Sequence, residues 1–327
     1  MKPEAQSAAR HVDVFNGDAD GLCALRQLRL AERRGGELVT GVKRDIQLLE
    51  NVTVARGDRV TVLDISLDQN RAALERLLGA DAQVRYFDHH YAGTIPQHPN
   101  LEAHIDTSAD VCTSLLVDRH LRGTQRAWAV VACFGDGLTK TGYELAAASG
   151  IVDAGALREL GECLNYNAYG EREEDLCFPP ARLYAILESY ADPREFIAAD
   201  PAFQALRARR EADLSLGLAC PRSAASAGRA VYVLPDADWS RRVGGILANH
   251  LVQRDPARAF AVLYPNSRGG YTISVRAPGA APNGAADLCR RFPTGGGREA
   301  AGGVNHVAAD GVEGFLAAFA EAFPDQR

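Results

Sequence analysis

The sequence predicts an α/β protein of two domains, the first of them built on a parallel β-sheet. Three observations support this prediction: short apolar runs alternate with helical patterns, acidic residues follow those runs, and a stretch of small residues precedes a second α/β pattern. A chain of 327 residues is also too long for one ordinary hydrophobic core. We therefore expect a first domain with a helical connector over residues 1–215, a linker over 216–228 and a second domain over 229–327.

The composition indicates a folded, soluble protein, with 46% hydrophobic and 24% charged residues. No run approaches the roughly 20 apolar residues of a membrane span, and the polar N-terminus lacks an apolar signal core, so we expect a cytoplasmic protein without a membrane partner. The net charge of −6 argues against binding to duplex nucleic acid. Seven cysteines without a Cys-x-x-Cys pair favour reduced, buried thiols over disulfides or a zinc site. The oligomeric state stays open, a homodimer included.

The first strand and helix flank a short acidic turn. Residues 11–15 form a β-branched and aromatic run typical of a strand, and residues 22–28 place leucines on one helical stripe. Between them, Asp18 and Asp20 lie two residues apart, where two carboxylates repel each other unless a cation compensates them. Taken alone, this Asp-x-Asp-Gly motif is more typical of a solvated acidic turn.

The following strands also end on acids. Strands are predicted over 37–42, 59–63, 84–87 and 103–105, with a helix from an Asp68 N-cap to Gly79 and another from about residue 108. Strands alternating with helices indicate a parallel sheet, whose ligands bind beyond the carboxyl ends of the strands. Asp64 directly follows one strand, and the triplet from Asp88 to His90 follows another.

The rest of the first domain is predicted to be helical. The apolar run over 127–134 fits either a helix or a buried strand, and it leads to Asp136. Residues 150–215 show helical patterns. The polar aromatic segment over 165–170 has two open readings: a loop that contacts substrate, or the end of a helix.

The second domain begins with a new α/β pattern. Strands are predicted over 230–234, 259–264 and 271–275, and helices over 243–252 and 287–292. Arg276 ends the last of these strands, and a glycine-rich loop is expected over 295–303.

Four aspartates and one histidine that follow apolar elements predict a metal site. They are Asp18, Asp20, Asp64, Asp136 and His89. Buried unpaired charges cost several kcal/mol each, so such a cluster requires cations. Oxygen ligands with one imidazole suit two Mn²⁺ ions, with Mg²⁺ as the alternative, and a pair of such ions activates water against a phosphate ester.

These motifs, in this order, resemble the DHH phosphoesterase superfamily. The matching positions are the Asn-x-Asp-x-Asp-Gly segment over 16–21, Asp64, the Asp-His-His triplet over 88–90, and Asp136. The C-terminal part resembles the DHHA1 domain of that superfamily, through the Ser-Val-Arg segment over 274–276 and the glycine-rich segment over 295–303. The resemblance implies an N-terminal parallel-sheet DHH domain, a smaller α/β DHHA1-like domain and an active-site cleft between them.

The resemblance also implies a role for each motif residue. The metal ligands share Asp64: Asn16, Asp18 and Asp64 for one ion, and Asp20, Asp64, His89 and Asp136 for the other. His90 is expected to face the scissile phosphate or the leaving group, with Asp88 orienting the histidines. The nucleotide end of the substrate is expected to bind Arg276, Gly296, Gly297 and Arg298.

The chain departs from the superfamily pattern at two positions. Asn16 stands where relatives often have His or Asp, and Arg298 stands where they usually have His. An amide is a weaker metal ligand than a carboxylate, whereas arginine pairs bidentately with phosphate.

The function expected from the resemblance is metal-dependent phosphodiester hydrolysis. Its substrates would be short single-stranded oligonucleotides (nanoRNA) or small nucleotides, as for the oligoribonuclease-like and single-strand exonuclease-like members of two domains. One alternative is a phosphodiesterase or phosphatase for cyclic dinucleotides or bisphosphate nucleotides. An alternative of another class, suggested by Asn16 and Arg298, is a nucleotide-binding module with impaired catalysis.

Overall fold

A computed structural model describes residues 9–325 of the chain. Contacts divide these residues into two compact units. The first unit runs to Ala168 and resumes over Arg172–Leu206, and the second comprises Tyr169–Glu171 and the described residues from Arg207 onward. Each unit has its own β-sheet, so the predicted two-domain α/β architecture is confirmed.

The first unit is built on a parallel sheet with the strand order β2-β1-β3-β4-β5. Its strands are β1 (His11–Asn16), β2 (Glu37–Gly41), β3 (Arg59–Leu63), β4 (Gln83–Asp88) and β5 (Leu101–Ile105). The order reverses between β1 and β3, because the chain passes from β1 to β2 on one side and then crosses to β3 on the other. Such a reversal opens a crevice at the carboxyl ends of these two strands.

Helices cover both faces of this sheet. They are α1 (Ala19–Ala31), α2 (Arg71–Gly79), α3 (Thr113–His120), α4 (Arg126–Gly135), α5 (Thr139–Ala148), α6 (Ala154–Asn167), α7 (Pro180–Leu187) and α8 (Pro193–Ala199). Val12 and Val14 pack with α2 on one face, whereas Phe15 packs with α1, α3 and α4 on the other. This division follows from the alternation of side chains along a strand.

Three local predictions are resolved by these helices. The apolar run over 127–134 lies in α4 and is buried from Trp128 onward, which explains why its periodicity was ambiguous. The helix expected from about residue 108 begins only at Thr113. The segment over 165–170 is not a loop throughout, because α6 extends to Asn167.

The second unit contains a mixed sheet with the strand order β10-β11-β9-β8-β7-β6. Its elements are α9 (Pro201–Ala219, which begins in the first unit), β6 (Ala224–Ala225), β7 (Arg229–Val233), α10 (Asp238–Arg254), β8 (Ala259–Asn266), β9 (Gly270–Arg276), α11 (Ala285–Arg290), β10 (Gly295–Arg298), β11 (Ala301–Ala308) and α12 (Val312–Ala322). Helices α11 and α12 pack on one face of the sheet, and α10 packs on the other.

Two segments differ from the expected loops. The segment over 216–228 contains the end of α9 and the strand β6, because a tight turn, in which the Ser226 N–H donates to the Arg229 carbonyl, pairs β6 with β7. The glycine-rich segment over 295–303 forms the antiparallel hairpin of β10 and β11. Its glycines allow close backbone approach: a Cβ at Gly297 would lie 2.5 Å from the Ala301 carbonyl oxygen.

Among residues 9–325, we find no helix that combines the length and the apolar character needed to span a lipid bilayer.

Candidate metal centre

The turn after β1 is fixed by its own hydrogen bonds. Asp18 is the N-cap of α1, and its Oδ1 accepts hydrogen bonds from the backbone N–H groups of Asp20 (3.0 Å) and Gly21 (3.2 Å). Gly21 is required here, because a Cβ at this position would lie 2.1 Å from the Asn16 carbonyl oxygen. The Asp-x-Asp-Gly motif therefore forms the start of a helix. Oδ1 of Asp18 makes the capping hydrogen bonds, and Oδ2 takes no part in them.

Asn16 braces this turn. Its Oδ1 accepts a hydrogen bond from the Asp18 backbone N–H, and its Nδ2 donates to the Lys43 carbonyl oxygen, both at 3.2 Å. The amide oxygen thus holds the turn itself, and the amide nitrogen joins the end of β1 to the segment after β2. The structure shows that Asn16 braces this turn, and its role as a metal ligand stays a prediction.

Asp64 lies at the centre of the cluster. It directly follows β3, is 2% exposed, and has a φ of 60°, in the left-handed region that is uncommon for residues other than glycine. Its backbone N–H donates to the Phe87 carbonyl oxygen (3.0 Å), and the Thr113 hydroxyl donates to its Oδ1 (3.2 Å). Backbone strain of this kind is found at functional sites, where the surroundings fix the conformation.

His89 presents one ring nitrogen to the carboxylates. Its Nδ1 lies 3.0 Å from the Val111 carbonyl oxygen, which can only accept, so Nδ1 carries the proton. Its Nε2 lies 3.4 Å from Oδ1 of Asp64 and 4.0 Å from Oδ2 of Asp136. A carbonyl that fixes the tautomer and leaves Nε2 as the ligand atom is the usual arrangement of a metal-binding histidine.

Asp88 orients His90, while Val111 orients His89. Asp88 is fully buried, and its Oδ1 accepts hydrogen bonds from the His90 backbone N–H (3.1 Å) and from the His90 Nδ1 (2.7 Å). Burial lowers the pKa of His90, but the Asp88 carboxylate, together with the charges of Asp136 and Asp18, more than offsets this effect, so the pKa is raised. Ligand atoms of Asp64, His89 and His90 lie within 4.8 Å of one another, so His90 also belongs to the group that could hold a metal ion.

Asp20 is compensated by a helix N-terminus. Its two carboxylate oxygens accept hydrogen bonds from the backbone N–H groups of Thr113 and Ser114, each at 2.7 Å, at the start of α3. Asp20 thereby ties α1 to α3, and its negative charge still contributes to the field at Asp64 and Asp136.

Lys43 also belongs to the cluster, although it is not part of any of the sequence motifs. Its ammonium group forms an ion pair with Oδ2 of Asp18, lies 4.0 Å from Oδ1 of Asp136 and donates to Oδ1 of Asn165 at 3.2 Å. Its signal in the sequence is positional: Lys43 follows β2 by two residues, at the sheet edge where the acids also lie.

The electrostatics of the cluster call for more positive charge. Burial raises the pKa of Asp64 well above its usual range, and the carboxylates of Asp18, Asp20 and Asp136 raise it further. Burial also raises the pKa of Asp136, with Asp20 adding to the effect. For Asp18, burial acts in the same direction, but the Lys43 ammonium outweighs it and lowers the pKa to about 2. Carboxylate oxygens and an imidazole nitrogen are ligands that suit Mn²⁺.

The substrate residues predicted from the C-terminal motifs lie in the second unit. Arg276 donates to Oδ1 of Asn249 (2.5 Å) and to the carbonyl oxygens of Val275 (2.8 Å) and Gly245 (3.3 Å). These acceptors are neutral, and burial lowers the pKa of the Arg276 guanidinium. A half-buried cation among neutral acceptors is suited to an anionic ligand.

Strand register brings the two predicted arginines to one face of the sheet. Arg298 of β10 pairs with Ala301 of β11, and Ala301 in turn pairs with Arg276 of β9. Directly paired residues point to the same face of a sheet, so the two arginines share a face. Because one strand lies between theirs, their backbones are two strand spacings apart, about 10 Å. Gly296 and Gly297 precede Arg298 on the edge strand β10.

Comparisons with solved structures show which proteins share this fold. The chain superposes on the exonuclease RecJ bound to manganese with a TM-score of 0.60, at 20% identity, over 97% of this chain and 91% of that one. A DHH domain from a member of a family of ribosomal proteins gives a TM-score of 0.62, at 14% identity, over 96% of this chain and 86% of that one. The chain has the DHH fold.

A third similar structure is PggH of Vibrio cholerae, a pGpG-specific phosphodiesterase. It gives a TM-score of 0.55, at 15% identity, over 95% of this chain and 97% of that one. All three are proteins of the DHH superfamily, so the resemblance predicted from the motifs is confirmed at the level of the fold. No family model matches the sequence, and a search of curated proteins gives no significant match.

Proposed function

We propose that the chain is a metal-dependent phosphoesterase of the DHH superfamily that hydrolyses phosphodiester bonds in short single-stranded oligonucleotides or small nucleotides. One observation carries this proposal: the buried carboxylate of Asp64 lies beside the Nε2 of His89 at the carboxyl edge of the sheet, with Asp18 and Asp136 close enough to raise its pKa. This combination of donor atoms and excess negative charge is what a divalent cation requires.

Mn²⁺ is the proposed cation, with Mg²⁺ as the alternative. Asp64, His89 and Asp136 would hold one ion, and Asp18 with Asp64 would hold a second. Such ions polarise a phosphoryl oxygen and lower the pKa of a bound water. The manganese bound to RecJ supports this choice, because RecJ shares the fold.

His90 is the proposed proton donor to the leaving oxygen. The Asp88 carboxylate fixes its Nδ1, so Nε2 is the ring nitrogen available to a substrate. Its raised pKa keeps more of the imidazole protonated near neutral pH, which suits a general acid. Its side chain is 46% exposed, so a substrate can reach it.

Arg276 and Arg298 are the proposed phosphate-binding residues of the second unit. Guanidinium groups pair bidentately with phosphate oxygens, and the spacing of about two strands allows each arginine to contact a different phosphate. This arrangement favours substrates with at least two phosphate groups. A short oligonucleotide meets that requirement, and PggH, which shares the fold, is a phosphodiesterase specific for pGpG.

The experiment is a hydrolysis assay of the purified chain with Mn²⁺ or Mg²⁺. The substrates are RNA and DNA of two to five nucleotides, cyclic dinucleotides and a nucleoside 3′,5′-bisphosphate. We expect Mn²⁺-dependent release of mononucleotides from the short oligonucleotides. Turnover of the cyclic dinucleotide or the bisphosphate alone would exclude short oligonucleotides as substrates and favour the alternative of a phosphodiesterase or phosphatase for those nucleotides. Substrate binding without turnover in any metal would favour the catalytically impaired binding module.

A further inference from the structure

Lys43 holds the oxygen that a second cation would need. Oδ1 of Asp18 accepts the two hydrogen bonds that start α1, so Oδ2 is the oxygen that points toward the cluster. The Lys43 ammonium is ion-paired with this Oδ2. A cation shared by Asp18 and Asp64 would therefore have to share Oδ2 with the ammonium or displace it.

Lys43 is held at this position by its own backbone and side chain. The Asn16 amide donates to the Lys43 carbonyl oxygen, and the Lys43 backbone N–H donates to the Ala168 carbonyl oxygen at 3.0 Å. At the far end, Asn165 accepts a hydrogen bond from the ammonium at 3.2 Å. The residue that departs from the metal-binding pattern, Asn16, thus positions the lysine that supplies positive charge.

The choice of lysine is informative in this chain. The sequence contains three lysines, Lys2, Lys43 and Lys140, among 36 basic residues. An ammonium group is a compact point charge comparable to a bound ion, whereas the larger planar guanidinium prefers bidentate partners. The lysine beside Asp18, in a chain whose other basic residues are almost all arginine, therefore places a compact positive charge at this carboxylate.

Asp136 separates two cation positions. Its Oδ1 lies 4.0 Å from the Lys43 ammonium, whereas its Oδ2 lies 4.0 Å from Nε2 of His89. The position among Asp64, His89 and Oδ2 of Asp136 is thus lined by an imidazole and carboxylates, and the position at Asp18 is already supplied with a positive charge.

We propose that Lys43 competes with one of the two cations for Asp18, so that the chain binds one divalent cation tightly, at Asp64, His89 and Asp136, and a second only weakly. This inference rests on the metal site of the proposed function. Lys43 is a positioning residue in this scheme: it sets how many ions the site holds at a given metal concentration.

The test counts bound Mn²⁺ in the full chain by equilibrium dialysis with elemental analysis, and detects paired ions by low-temperature electron paramagnetic resonance. In the wild type we expect one tightly bound Mn²⁺ with an uncoupled signal. Lys43→Gln should strengthen the second site by about tenfold or more, the effect that one neighbouring charge has on a buried carboxylate, and should give the spectrum of a coupled pair.

Two variants complete the design. Lys140→Gln, which removes an exposed lysine paired with Glu144, should bind Mn²⁺ as the wild type does. Lys43→Met keeps the length of the side chain without its charge and should strengthen the second site as Lys43→Gln does, so it provides the test if Lys43→Gln does not fold.

Each outcome supports or overturns a defined claim. Two ions of equal affinity in the wild type would overturn the role of Lys43 and leave the proposed function standing. An unchanged second site in folded Lys43→Gln would do the same. Absence of Mn²⁺ binding in all variants, and of Mg²⁺ binding in the same dialysis experiment, would overturn the proposed function itself.

Discussion

Two groups of acid and histidine ligands in the first unit invite comparison. Asp64, His89 and His90 lie at the carboxyl edge of the sheet, and Glu102, His104 and His120 lie on β5 and α3; within each group the ligand atoms are within 4.8 Å of one another. The first group is built around a buried carboxylate, whereas Glu102 and His120 are exposed. Ligand spacing alone therefore does not distinguish the two groups.

The charges around each group make the difference. Asp18, Asp20 and Asp136 add negative charge around Asp64 and raise its pKa. At the second group, burial lowers the pKa of His120, and the neighbouring His104 and the positive charge of Arg85 lower it further. The ring of His104 stacks on Phe87 at 4.4 Å, and its Nε2 is hydrogen-bonded to Glu102 at 2.7 Å. The surrounding charges therefore favour a cation at the first group, whereas packing and a hydrogen bond already engage His104 in the second.

The largest expected effect is that of Asp64→Ala. Loss of the central ligand should abolish Mn²⁺ binding and reduce kcat by more than the roughly 10–100-fold that loss of an outer partner costs. Isothermal titration calorimetry and single-turnover kinetics measure the two effects. The matched control is His104→Gln, which alters the second group and should leave both quantities unchanged; the reverse pattern would transfer the metal site to β5.

Asp88→Asn should have the next largest effect. The amide cannot hold His90 with the charge of a carboxylate, so kcat should fall by about 10–100-fold. Because the Asp88 carboxylate raises the pKa of His90, its loss should also move the alkaline limb of the kcat profile to lower pH. A lower kcat with an unmoved pH profile would show that His90 does not supply the proton.

Arg276→Ala should weaken substrate binding. A hydrogen bond to a charged group contributes about 1.5–3 kcal/mol, so KM should rise by roughly 10–100-fold with little change in kcat. Arg290→Ala removes an exposed arginine of the same unit that is paired with Asp287, and should not change KM. Equal KM values for the two variants would remove Arg276 from the substrate site.

The smallest effect is the pH dependence of stabilisation by Mn²⁺. The raised pKa of Asp64 means that its protonation stabilises the metal-free fold below the usual aspartate pKa, and this contribution is lost as the pH rises through the raised value. At high pH, a bound cation therefore stabilises the deprotonated carboxylates in place of the proton on Asp64. At low pH, the cation must compete with protons for these carboxylates. The rise in Tm caused by Mn²⁺ should be larger at about pH 8 than at about pH 5.5. A rise independent of pH would contradict the buried cluster.

The sequence was sufficient for the parts of the fold that depend on local pattern and chain order. Strand periodicity located the sheet, and the rule that parallel strands end at one edge placed Asp64 and His89 together. Lys43 was missed because a lysine two residues beyond a strand has no motif, and only the tertiary path of the chain shows that its ammonium reaches Asp18.

Other features that the sequence did not show depend on distant contacts in the same way. Glycine composition suggested a loop over 295–303, whereas pairing with β9 makes this segment a hairpin. Asn16 resembled a weak metal ligand, and its hydrogen bond to the Lys43 carbonyl oxygen depends on a contact between residues 27 positions apart. Local sequence does not encode which distant groups satisfy a polar side chain.

The most direct test of the central claim is anomalous diffraction at the manganese edge from crystals soaked in Mn²⁺. We expect a strong peak within ligand distance of Asp64, Nε2 of His89 and Asp136, with a second, weaker peak near Asp18 only at high Mn²⁺ concentration. A peak at Glu102, His104 and His120, with none beside Asp64, would contradict the account.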